Sequence, residues 1–279
     1  MVTDGRRRQP TVAWCTISSD VGGVPVNLYY EAHGSGPGLL VISGTGGDLR
    51  AAGRFVDGPL GPHFEIAAYD QRGLGQSSVP PGPSSMADYA ADAAGLLAEL
   101  GWGPTLVLGV SFGGMMAQEL AVTHPDRVRR LVLACTSAGG AGGASFPLET
   151  LEGLGPDERI LRYTELLDTR HDAAWRAANP DEWAGLQTSR AYLAPGPAGA
   201  ETEERRVGAR LQLEARAGHD TWGRLGRIAC PTLVCGGRWD GIAPPANARR
   251  LAGASPGASC ACSTADTCSC SRTRRPTLR

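Results

Sequence analysis

Thr105-Leu106-Val107-Leu108-Gly109-Val110-Ser111-Phe112-Gly113-Gly114-Met115-Met116 is the stretch that decides how this chain reads. A run of β-formers enters, a small-residue helical run leaves, and Gly-x-Ser-x-Gly sits at the joint. That order predicts a strand, a sharp turn and a helix, with Ser111 presented on the turn as a nucleophile candidate. The turn is expected to be strained, and the flanking glycines remove the Cβ atoms that would clash in it. The bare motif also arises by chance, as an ordinary turn serine, so the strand–turn–helix setting carries the weight.

Working outward, Pro25–Glu31 (PVNLYYE) alternates like a strand, and Gly38–Ser43 (GLLVIS) is a continuous apolar run of the kind covered on both faces. Phe64–Tyr69, Arg130–Cys135 and Pro231–Cys235 repeat that pattern, with helices expected at Met86–Leu100, Phe112–Thr123 and Ala246–Ala252. Strands alternating with helices imply an α/β fold: a mostly parallel, doubly covered sheet. From about Ser137 to Trp222 the chain is polar, rich in Ala, Glu and Arg, and helical at Asp157–Leu167, with no buried strand. This reads as a helical lid inserted into the core, entered through a flexible Gly139-Gly140-Ala141-Gly142-Gly143. The expected organisation is core over 1–136, lid over 137–222, core again over 223–258, and an aberrant, disordered tail over 259–279. There is no internal repeat.

At 279 residues the chain is long enough for a single α/β domain with an insertion. Its formal net charge of -1 offers no basic footprint for nucleic acid and no polybasic run for a membrane surface. No apolar run reaches spanning or signal-peptide length, so the expectation is a cytoplasmic protein. All 27 basic residues are Arg, and Asn appears only at 27, 179 and 247, which points to a gene of very high GC content. Of the eight cysteines, Cys15, Cys135, Cys230 and Cys235 read as small core hydrophobes, while Cys260, Cys262, Cys268 and Cys270 crowd the C-terminus.

Three further loops bear on chemistry. Ser43-Gly44-Thr45-Gly46-Gly47 follows an apolar strand and can aim a backbone N–H at a reacting carbonyl oxygen; Thr45 is the expected donor, with the N–H of Phe112 as its partner. The loop lacks the Gly-Lys-Ser/Thr ending of a phosphate loop and is too short for G-x-G-x-x-G, so nucleotide binding is a poor second. Asp70-Gln71-Arg72-Gly73-Leu74-Gly75-Gln76-Ser77 reads as a structural turn tied by Asp and Arg, with a catalytic Asp70 the lesser alternative. Asp240, in Gly236-Gly237-Arg238-Trp239-Asp240-Gly241, is placed to orient an imidazole; a turn or N-cap aspartate is the structural alternative.

Taken together, SGTGG, DQRGLGQS, GVSFGG and GGRWDGIAP resemble the α/β-hydrolase superfamily, and most closely its lidded bacterial esterase and enol-lactonase-like members. The resemblance runs from about Pro25 to Ala252 with the motifs in the family's order. It implies an eight-stranded sheet, Ser111 as nucleophile, Asp240 as triad acid, and a histidine in a loop after the last strand.

That histidine is absent: the last in the chain is His219, and Gly257–Cys270 offers no apolar run for an edge strand, so the last edge strand is expected to be missing. A zinc site at the paired C-x-C segments lacks the usual loop between ligands, and a disulfide cluster conflicts with a cytoplasmic location. A shifted reading frame accounts for the tail. With GC-leaning synonymous codons, Ser259 onward can be written so that the frame starting at the third base of the Ser259 codon reads LRVFDGGHMFLLQDPTAY. That is a β-like strand, then Gly-Gly-His, then an amphipathic continuation, and the histidine codon straddles Asp266 and Thr267. Among the existing histidines, His33, His63 and His124 sit in turns and His171 in the lid. His219, where the lid returns to the core, is the candidate to line the pocket or stand in as base.

The expected chemistry is acyl transfer on a small-molecule carboxylic ester or lactone, without cofactor or metal. Trp175, Trp183 and Tyr192 of the lid would shape an apolar pocket. The printed chain is expected to be badly impaired. A non-catalytic small-ligand binder, a C–C hydrolase and a cofactor-free haloperoxidase remain alternatives on the same fold.

Overall fold

The structure, a computed structural model, describes residues 11–17, 25–50, 55–189 and 202–263. The apolar runs become β2 (Val26–Gly34), β3 (Gly38–Ile42), β4 (Glu65–Tyr69), β5 (Thr105–Val110), β6 (Val128–Ala134) and β7 (Thr232–Gly237). Two more strands complete an eight-stranded sheet in the order β1-β2-β4-β3-β5-β6-β7-β8: β1 (Thr11–Ile17) and β8 (Ala258–Ser263). The first two ladders, β1 with β2 and β2 with β4, are antiparallel, and every ladder from β4 through β8 is parallel. The C-terminal ends of β3, β5, β7 and β8 therefore lie at the same edge of the sheet.

β8 corrects the expectation of a missing edge strand. It pairs with β7 in continuous register from Thr232↔Ala258 to Gly237↔Ser263. An edge strand needs a backbone ladder more than buried side chains, and ASCACS has no Pro or Gly to interrupt one. Its side chains contribute little to the core: Ser259, Cys260 and Ala261 are exposed. The expected disordered tail thus gives up its first five residues to the sheet, while residues 264–279 lie outside the described residues.

The sheet's side-chain alternation divides the core. Leu40, Ile42, Ala67, Tyr69, Val107, Leu131, Leu133 and Val234 face one way and pack under α1 (Met86–Glu99) and α2 (Phe112–Thr123). Leu39, Val41, Ile66, Leu108 and Ala134 face the other way, against Phe55, Leu60 and Phe64. α1 starts on a reciprocal cap in which the Ser85 hydroxyl accepts from the Asp88 N–H and the Asp88 carboxylate accepts from the Ser85 N–H at 2.6 Å. Such caps contribute about 1 kcal/mol.

Between β6 and β7 the described residues form α3 (Pro156–Leu167), α4 (Ala173–Ala178), α5 (Pro180–Ser189) and α6 (Glu203–Ala217), with no strand among them; α7 (Pro245–Ala254) follows β7. Leu148, Leu151 and Leu213 of the insertion cluster with Ile242 of the loop after β7. The glycine-rich entry expected to be flexible is closely packed instead. Gly139 bridges to Asp220, and a Cβ on Gly139 would fall 1.9 Å from the His219 carbonyl oxygen. Glycine is needed there for close approach of two backbones.

Candidate active site

Ser111 stands between β5 and α2 with φ 54° and ψ −114°, a conformation few L-residues adopt and one that costs about 1–3 kcal/mol. Packing forces it. The Ser111 N–H donates to the Ala134 carbonyl at 2.8 Å, and the Thr136 hydroxyl donates to the Ser111 carbonyl at 2.7 Å. A Cβ on Gly113 would lie 2.1 Å from the Ile42 oxygen, so only glycine lets α2 start so close to the end of β3.

The same close approach brings the loop after β3 to the serine: a Cβ on Gly44 would stand 3.4 Å from the Ser111 Cβ. The Thr45 and Phe112 amides donate to no acceptor among the described residues, and the buried Thr45 hydroxyl has no partner. Three side-chain hydrogen bonds hold this loop. The Gln71 Nε2 donates to the Ser43 carbonyl at 2.7 Å, the Gln212 Nε2 donates to the Gln71 Oε1 at 2.6 Å, and the Gly46 N–H donates to the Gln212 Oε1 at 2.9 Å. Both glutamines are fully buried. α6 thus props the loop beside Ser111, and sequence reasoning missed Gln212. A lone glutamine in a polar helix gives no signal of its own.

The turn after β4 is structural, as read. Asp70 accepts from the Leu49 and Gln76 N–H groups, each at 2.8 Å, while burial raises its carboxyl above the usual range. Arg72 is buried against Asp92 through two 2.6 Å bonds, and also reaches the Ser84 hydroxyl and the Asp88 carbonyl.

Asp240 lies past β7 and is 3% exposed. Its Oδ1 accepts from the Ile242 and Ala243 N–H groups at 2.8 and 2.7 Å, which fixes the carboxylate at the sheet edge shared with Ser111. The turn role proposed as the structural alternative is therefore present, and it orients the side chain.

His219 is held elsewhere. Its Nε2 lies 3.2 Å from the Ser137 carbonyl, an acceptor that requires Nε2–H and leaves Nδ1 unprotonated and without a partner. The Ser137 carbonyl also accepts from the Gln118 Nε2 of α2, and the Gln118 Oε1 accepts from the Thr221 hydroxyl. Burial pushes His219 down to about 4, and no hydrogen bond joins it to Ser111. Among the other histidines, His33 pairs with Glu31 at 2.9 Å and His124 meets the Thr123 hydroxyl at 2.8 Å. His171 packs 4.4 Å from Trp175, and Arg176 lies over Trp183 at 5.3 Å, so these aromatics pack within the insertion; Tyr192 lies outside the described residues. Cys15 is buried and pushed up to about 11, as suits an inert core thiol. Among the described residues no three His, Cys, Asp or Glu cluster to hold a metal, and no helix is long and apolar enough to cross a membrane.

The family model of the alpha/beta hydrolase fold matches residues 37–264, which spans every element just described from β3 through β8. The chain belongs to the α/β-hydrolase fold family. This α/β-fold hydrolase is 32% identical over 214 residues to the poly(3-hydroxyalkanoate) depolymerase of Ectopseudomonas oleovorans, covering 77% of this chain and 72% of the relative. It is 31% identical over 244 residues to the 2-hydroxymuconate semialdehyde hydrolase of Pseudomonas sp. strain CF600, covering 80% and 76%. The crystal structure of the enol-lactonase from Burkholderia xenovorans LB400 superposes with a TM-score of 0.68 over 91% of this chain and 92% of that one. At 23% identity that likeness speaks to the fold alone.

Proposed function

We propose that this chain derives from a serine hydrolase that cleaves a small carboxylic ester or lactone through an acyl-enzyme. The observation that carries the proposal is the strained Ser111, at φ 54°, facing a glycine loop whose Thr45 amide and whose own neighbour's Phe112 amide have no protein acceptor. Ser111 Oγ attacks the carbonyl carbon. The two amides stabilise the oxyanion, and water releases the acid. Asp240 serves to orient an imidazole and stabilise its protonated form. The insertion over 137–222 covers the cleft as its lid.

The base is the histidine that the alternate frame supplies after β8, in a loop opening at the same sheet edge as Ser111 and Asp240. His219 is unsuited to that role, because its Nε2–H is given to the Ser137 carbonyl, no hydrogen bond joins it to Ser111, and burial suppresses its basicity. The printed chain is therefore expected to retain only the acceleration from oxyanion stabilisation and binding, about 10³–10⁴-fold over water. The test is to sequence the 3′ end of the gene and assay both products on an aryl ester. The frame-restored protein should turn over and lose that activity on Ser111→Ala. Robust turnover by the printed chain, or a reading frame with no alternate strand, would sink the frame proposal. A frame-restored protein that binds ligand but leaves Ser111 unlabelled by a fluorophosphonate would favour a non-catalytic binder.

A further inference from the structure

Arg216 of α6 is 5% exposed, yet its Nε and Nη2 have no hydrogen-bond partner. A guanidinium cannot shed its charge by losing a proton, so an unpaired buried one is a standing cost that folding alone does not explain. Its place in the helix says what it faces. Gln212, one turn earlier on the same side, reaches Gly46 in the loop beside Ser111. Leu213, on the adjoining stripe, packs with Ile242, two residues beyond Asp240. On the wheel of α6, Arg216 falls between these two stripes, on the face whose neighbours reach Gly46 on one side and Ile242 on the other.

The surroundings add donors rather than acceptors. The Tyr163 phenol of α3 lies within electrostatic reach of Arg216, and burial raises it above its ordinary value, so it stays a neutral O–H donor. Arg159 also acts on Tyr163, and its own Nε is buried without a partner. The acidic residue felt by Arg216 is Glu149, which is exposed and makes no hydrogen bond to it.

We propose that Arg216, with Tyr163 beside it, forms a carboxylate subsite, so that the substrate of this cleft is an ester or lactone carrying a free carboxylate. The planar guanidinium suits a two-pronged carboxylate contact. The inference rests on the hydrolase reading for the word substrate, and on Arg216 alone for the anion.

The probe is levulinate, a keto acid without an ester to cleave, against 2-hexanone, its uncharged counterpart of similar size. Both are titrated into the full chain by calorimetry and thermal unfolding. Levulinate should bind and raise Tm, and 2-hexanone should not. Arg216→Met should weaken levulinate about 10- to 100-fold, the range of a hydrogen bond to a charged group. The ligand-free Tm of that variant should equal or exceed the parent's, because a buried unpaired charge has been removed. Equal binding of the two probes, no binding of either, unchanged levulinate affinity in Arg216→Met, or a large fall in its ligand-free Tm would each overturn the subsite. Fluorophosphonate labelling of Ser111 in the frame-restored protein separates the two readings. Levulinate binding with an inert Ser111 would leave the subsite standing and remove the hydrolase, whereas a labelled Ser111 with no levulinate preference would do the reverse.

Discussion

Gln212→Leu isolates the prop under the Ser43–Gly47 loop, the proposed oxyanion loop. The side chain makes two hydrogen bonds at zero exposure, one from the Gly46 N–H at 2.9 Å and one to the Gln71 Oε1 at 2.6 Å. Leucine fills similar volume, so the loss is one of polar pairing rather than packing. Gly46 is exposed and its freed N–H can turn to water, which makes that half of the loss small. The Gln71 Oε1 is buried and can find no substitute donor, so it bears the desolvation cost of an orphaned acceptor, about 1–3 kcal/mol. For a domain of this size that is a fall in Tm of about 2–12 °C. Thermal unfolding measures it, and amide hydrogen exchange at residues 44–47 should accelerate in parallel. In a frame-restored enzyme kcat should fall with KM little changed, since the loop acts on the oxyanion more than on the ground state. An unchanged Tm together with unchanged exchange at Gly46 would refute the prop.

Gly113→Ala places a methyl 2.1 Å from the Ile42 oxygen and 2.5 Å from that of Ser43, both backbone, so destabilisation of about 3 kcal/mol or more is expected by chemical denaturation. A loss under 0.5 kcal/mol would show that the elbow gives way easily. Asp92→Asn strands the Arg72 charge at 3% exposure, with an expected loss of about 3–5 kcal/mol, while the double change Arg72→Met with Asp92→Leu should recover much of it; equal losses for both would argue against a charge effect. His219, whose pKa falls from 6.5 unfolded to about 4 folded, is neutral in the folded state over that interval while the unfolded chain takes up a proton. Stability should therefore be complete above pH 6.5 and decline as pH falls toward 4, by about 3 kcal/mol, and His219→Gln should flatten that slope. A slope identical in the two proteins would remove His219 as its source.

The sequence made the site's frame legible because periodicity and glycine placement act locally. The strand before Ser111, the glycines after it and the loop at Thr45 are each dictated by sterics within a dozen residues. The long-range partners were not legible. Gln71, Gln212 and Gly46 converge from three elements, and no residue of the three is unusual in its own segment. Arg216 sits in a helix dense with Arg and Glu, where a buried guanidinium looks like any solvated one until its packing is known. Sequence reasoning also took Gly139–Gly143 for a loose hinge, because glycine signals both freedom and close approach and only the facing His219 carbonyl tells them apart. β1 was passed over since its alternation, with Trp14 outward at 57% exposure, is that of a weakly covered edge.

β8 was misjudged for a related reason, and what it teaches bears on the tail. A ladder with β7 satisfies backbone groups whatever the side chains are, so the presence of β8 does not discriminate between reading frames. The side chains do. In register across the sheet, Leu108, Val132, Leu233 and Ser259 form one row, whose exposure rises from 7% at Leu108 to 39% at Leu233 and ends on an exposed serine. The next row runs from Ala134 through Cys235 to an exposed Ala261. A core that thins this way leaves the apolar surface of β6 and β7 with only Ser259 and Ala261 beside it on β8. The alternate frame starts with Leu at the Ser259 codon and reaches Val two residues on, which extends both rows with side chains that match. Its Asp-Gly-Gly-His then begins where β8 ends at Ser263, the point at which a parallel strand must give way to a loop beside Ser111 and Asp240. The physical demand of the sheet for apolar cover and the demand of the proposed nucleophile Ser111 for a base thus fall on the same few codons, and the proposed shift of frame would meet both.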